Sequence, residues 1–176
     1  MMIRMRPVLT GSSILRLVAL FAAGLVLGVP AALQAGDADA TGTIRYRQTL
    51  MEGIGSDMGA ISAILKYELP IPASIEGHAL SMAALAEIVP AAFKAKVVDG
   101  PTDSKADIWS DAEAFQKACD DFIIATSELV EVSAGGDAAA IGTQLQAVGK
   151  TCGGCHKQFR KPKEESFRNQ GDSDSH

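Results

Sequence analysis

Apolar residues recur at three- and four-residue steps along most of this chain. Ile44, Leu50, Met51, Ile54, Met58, Ile61 and Leu65 trace one stripe with Arg47 on the same face, while Glu52, Ser56 and Asp57 fall off it. That period predicts an amphipathic helix, ended by Leu69-Pro70-Ile71-Pro72, where two prolines remove donors and push their neighbours to extended backbone. A second stripe, Ile75, Ala79, Met82, Leu85 and Val89, predicts a helix starting near Ser74 as N-cap, with a kink or end at Val89 before Pro90. A third starts at Asp103 or Ser104 and turns Trp109, Ala112, Phe115, Cys119, Phe122, Thr126 and Leu129 inward. Gly135 and Gly136 mark a loop, Asp137 caps the next helix, and Ile141, Leu145, Val148, Cys152, Cys155 and Phe159 form its seam. Strand signals are nearly absent. The prediction is all-α: an antiparallel up-down-up-down four-helix bundle.

The two ends of the chain read differently. Arg4 and Arg6 precede the apolar run Leu17–Pro30, and small residues follow, which is the order of a secretory signal peptide. We assign residues 1–38 to it, with cleavage between about 35 and 40, residues 39–162 to the bundle, and 163–176 to a polar, frayed tail. The apolar run is shorter than the ~20 residues of a membrane span, so no membrane anchor is expected after cleavage. A cut after Ala35 removes three arginines, leaving 13 basic against 21 acidic residues and a formal charge of -8. So acidic a chain has no electrostatic footprint for nucleic acid.

Chemistry concentrates in Thr151–Arg160, TCGGCHKQFR. On a helix, Cys152, Cys155 and His156 share a face. Two thiols one turn apart suit two thioether bonds to one porphyrin edge, and the adjoining imidazole reaches the iron, which makes this the attachment signal of a c-type haem. A zinc site would need two further ligands, and only Cys119, His78 and His176 are at hand beside His156. A redox dithiol would sit in a βαβ setting, which is missing. Haem attachment also explains an odd count of three cysteines in an exported chain, leaving Cys119 as a small buried hydrophobe.

With RQTLMEGIGSDM in the first helix, VPAAF in the second, DIWSDAEAF in the third and VGKTCGGCHKQFR in the fourth, the chain resembles the class II c-type cytochromes, cytochrome c-prime and its low-spin relatives. The resemblance implies one covalently bound haem c near the C-terminal helix, with Cys152 and Cys155 as attachment points and His156 as axial ligand. It places Met51, four residues after Arg47, at the open face of the iron, as a second axial ligand or as an unligated filler. It sets Arg47 near the haem propionates and Arg160 beside the proximal face, while Phe159 replaces the commoner Tyr. His78 is a distant second candidate for the iron, expected at the surface.

The expected function is a periplasmic electron carrier with His/Met ligation, not an enzyme. The alternative is a five-coordinate, high-spin protein that binds nitric oxide or carbon monoxide. Lys150, Lys157, Arg160, Lys161 and Lys163 form a basic cluster around the haem helix, suited to docking an acidic redox partner protein. The resemblance also implies a homodimer formed through the first two helices.

Overall fold

The computed structural model describes residues 31–170; most of the expected signal peptide and the end of the expected tail lie outside the described residues. Four long helices dominate: α1 (Ala31–Lys66), α2 (Ala73–Ala92), α4 (Ala112–Gly135) and α5 (Ala138–Phe159). A single turn, α3 (Asp107–Ser110), precedes α4, and a 3-10 turn (Lys163–Glu165) leads into a last short helix, α6 (Phe167–Gln170). The cleavage zone expected between 35 and 40 falls inside the first turns of α1.

Burial follows the stripes. Ile61, Met82, Leu129 and Val148, one from each long helix, are fully buried. Each such side chain removes enough apolar area from water to contribute about 1.5–3 kcal/mol. Small residues let the helices approach: a Cβ on Gly53 would stand 3.1 Å from Leu85 Cδ1 of α2, and one on Gly149 of α5 would stand 3.2 Å from Met58 Cε of α1. Leu85 and Ala112 depart from expectation; Ala86 takes the buried place in α2, and Ala112 is exposed at the first position of α4.

The helix ends are where structure and sequence part. Asp137 caps α5 as expected, its Oδ1 accepting from Ala139 N–H at 2.9 Å and Ala140 N–H at 3.4 Å. Gly136, left-handed at φ 71°, closes α4. Pro90, however, does not end α2, which runs on to Ala92. A proline this near the C-terminus costs one backbone bond, and the residues after it remain helical. Neither Asp103 nor Ser104 caps the third long helix. The chain there makes α3, bends at Asp111, and only then enters α4.

The segment after Lys161 is not frayed over its described part. It folds back, and Asp103 receives it: Ser166 Oγ donates to Oδ2 at 2.9 Å and Phe167 N–H to Oδ1 at 3.0 Å. Among the described residues no helix is long and apolar enough to cross a membrane.

Candidate haem site

One end of the bundle holds a cavity of about 330 Å³. Val89, Ile108, Phe115 and Phe159 give it apolar walls. Phe115 packs edge-on against both Phe93 and Phe159, with ring centroids 5.4 and 5.2 Å apart, an arrangement that fixes the walls in place. α5 contributes Cys155 and His156 to the lining, and α1 contributes Arg47 and Met51 from across it.

The α5 side carries the two cysteines and the histidine of the motif. Cys152 and Cys155 are half-buried, packed against the hydrophobic core, and unpaired with any other cysteine. Burial pushes both thiols up, and at Cys155 the neighbouring Cys152 adds to the effect. The imidazole of His156 is lowered in basicity by the surrounding protein and then by the Arg160 cation, although its side chain keeps solvent access. Both effects favour neutral groups: thiols rather than thiolates, and an imidazole whose nitrogen lone pair is free to ligate. Gly153 and Gly154 meet nothing within 4 Å, so the protein itself leaves the helix surface between the cysteines clear.

The α1 side is built differently. Arg47 is 3% exposed, and its guanidinium is spoken for. Nε donates to Ala92 O at 2.9 Å, Nη1 to Val97 O at 3.1 Å and Nη2 to Ala95 O at 2.5 Å. These are carbonyls at and just beyond the C-terminus of α2, where a cation is favoured. The same guanidinium stacks over Phe93 at 4.7 Å and Trp109 at 5.3 Å. Trp109 in turn donates its indole N–H to Phe93 O at 2.8 Å. Arg47 lines the cavity, while its hydrogen bonds tie α1 to the α2 terminus. Burial lowers its pKa.

Met51 is half-buried on the cavity wall, one turn after Arg47. His78 is elsewhere: its Nδ1 lies 2.9 Å from Asp57 Oδ1 on the α1–α2 face, and it does not line the cavity. Arg160, just past α5, lines the rim with Nε 3.9 Å from Asp103 Oδ2, half exposed. Cys119 is buried on α4, its thiol pushed up to about 12 by burial first, then by Cys155 and Asp120. Of the basic cluster, Lys150, Lys157 and Lys163 are exposed, whereas Lys161 is tied down through Nζ to Thr102 O at 3.0 Å. Sequence reasoning missed Ser166, Phe167 and Arg168, which line the same cavity from the C-terminal segment. No local signal marked them, because their anchor lies at Asp103.

Cys155 and His156 on the wall of an apolar cavity, with Cys152 one turn earlier on the same helix and outside the lining, make the donor set of a helical c-type cytochrome, and this set fits haem c. The chain belongs to the cytochrome c' family: the family's model, described as Cytochrome C', matches residues 42–160. It is 39% identical over 124 residues to the cytochrome c' of Rhodospirillum rubrum, covering 70% of this chain and 84% of the relative. It is also 30% identical over 123 residues to a cytochrome c-556 of Agrobacterium tumefaciens, covering 69% and 99%. Among solved structures, a nitric oxide complex of a cytochrome c prime variant from Alcaligenes xylosoxidans aligns with TM-score 0.65 at 26% identity, covering 70% of this chain and 97% of that one. Cytochrome c prime from Shewanella frigidimarina aligns equally well, at 29% identity and the same coverage. With the family comes its cofactor, one covalently attached haem c.

Proposed function

We propose that this chain is an exported periplasmic cytochrome whose haem binds nitric oxide or carbon monoxide on the Met51 side, with His156 as the only protein ligand to iron. The observation that carries this reading is the likeness over 97% of a solved relative caught as a nitric oxide complex, joined to a closely matching cytochrome c' sequence. A bound haem c would supply an iron able to take up a small diatomic ligand.

The chain's residues supply the rest. Cys152 and Cys155 would hold the porphyrin by thioether bonds, and His156, next to Cys155 on the same helix, would ligate the iron. Met51 lines the distal wall as an unligated thioether, a flexible side chain that yields to a small ligand. Val89, Ile108, Phe115 and Phe159 keep the cavity apolar, which favours a neutral diatomic gas over anions. Arg160 stands at the rim beside His156 and shields the proximal side. No catalytic cycle is assigned to it.

The reading expected first from sequence, an electron carrier with Met51 as sixth ligand, rests on one observation: Met51 and His156 line the same cavity. Carbon monoxide titration of the ferrous protein separates the two. A gas binder takes up one equivalent with a large optical change, whereas a carrier with Met51 seated on the iron resists it.

A further inference from the structure

The family match ends at residue 160, yet the described chain continues to 170 and docks on the cavity. Beyond the two bonds to the Asp103 carboxylate, Lys161 N–H donates to Asp103 O at 2.8 Å and Lys161 Nζ to Thr102 O at 3.0 Å. Ser166 is buried at 6% exposure, so this is an anchored segment. The anchoring places Phe167 and Arg168 in the cavity lining, within reach of α1.

Arg168 is loosely held where it stands, its guanidinium 5.8 Å from the Phe167 ring centroid. Its Nη2 meets Glu52 Oε1 at 3.4 Å, and both side chains are largely exposed, at 67% and 53%. A long, exposed ion pair of this kind is weak. Arg47 is the opposite case, with three carbonyls that would be left unpaired if it turned away. The propionates of haem c are carboxylates, and a guanidinium matches a carboxylate with two parallel hydrogen bonds. The charged side chains around this mouth are Arg47, Glu52, Asp103, Arg160 and Arg168. Arg47 is saturated, Arg160 stands 3.9 Å from the mostly buried Asp103, and Arg168 is paired with the more exposed carboxylate, so water already screens the partner it would give up.

We propose that Arg168 is the propionate-binding arginine of this protein, exchanging Glu52 for a haem carboxylate, and that the segment 161–170 exists to carry it there. The inference rests on the haem of the family and not on the identity of the sixth ligand. A colourless protein would count against the cofactor, which is a separate failure.

The test is the reduction potential of the purified holoprotein, measured by optical titration, in Arg168→Gln, Arg168→Lys and a chain ending at Pro162. A cation beside the propionates favours the ferrous haem, which carries one positive charge fewer. Arg168→Gln and the truncated chain therefore lower the potential by similar amounts, Arg168→Lys retains most of the wild-type value, and the difference between wild type and Arg168→Gln shrinks as salt is raised. Helical circular dichroism and covalent haem content stay at wild-type levels. A wild-type potential in Arg168→Gln overturns the proposal. So does a fall of equal size in Arg168→Lys, which would trace the effect to packing and not to charge.

Discussion

Two walls of one cavity carry opposite kinds of chemistry. On α5, Cys152, Cys155 and His156 lie within five residues, half-buried or accessible, neutral, and available to a cofactor. On α1, Arg47 is deeply buried and fully engaged with the end of α2, and Met51 beside it is only half-buried. One wall is a reactive surface whose geometry comes from a single helix turn. The other is a structural joint that gains its shape from three separate segments. The contrast teaches that the arrangement of Cys152, Cys155 and His156 is a local property of α5, while the character of the α1 wall is tertiary.

The comparison can be broken most sharply on the α5 wall. Replacing Cys152 and Cys155 together by Ala abolishes covalent haem: acid-acetone extraction then leaves colourless protein, while wild type keeps its colour. On the α1 wall, Arg47→Gln strands buried carbonyls, and its expected effect is on folding, a loss of about 3 kcal/mol in urea unfolding. Haem still attaches in the protein that folds. If that variant keeps wild-type stability, the joint is not what its hydrogen bonds describe.

Away from both walls, Asp137→Ala removes only a helix cap and costs about 1 kcal/mol in the same assay. The smallest effect is expected at Cys119. With its thiol near pH 12 and buried, iodoacetamide at pH 8 leaves it unmodified in the native protein, and mass spectrometry finds the adduct only after unfolding.

The contrast also explains what could be read from sequence. The α5 motif is contiguous, so its spacing on a helix already stated its geometry, and the Asp137 cap is read from its neighbours two and three residues away. The apolar stripes named most of the core for the same reason. Arg47 was legible as part of the α1 stripe, but its partners, 45 to 50 residues away, were not. Asp103 looks like an N-cap for the helix that follows it. It serves instead as the anchor for Ser166 and Phe167, more than 60 residues on, and no local pattern distinguishes those two uses of a carboxylate. The polar composition of Lys161–Gln170 read as fraying because composition does not record a distant acceptor. A Met at position 51 is compatible with both a sixth iron ligand and an unligated wall, so the residue type alone does not separate an electron carrier from a gas binder.

The ferric optical spectrum of the purified holoprotein, compared with that of Met51→Leu, tests the central claim most directly. A five-coordinate gas binder gives high-spin bands in both proteins, with little change on substitution. Low-spin bands with a sulfur-to-iron charge-transfer feature in the wild type, lost in Met51→Leu, would contradict it.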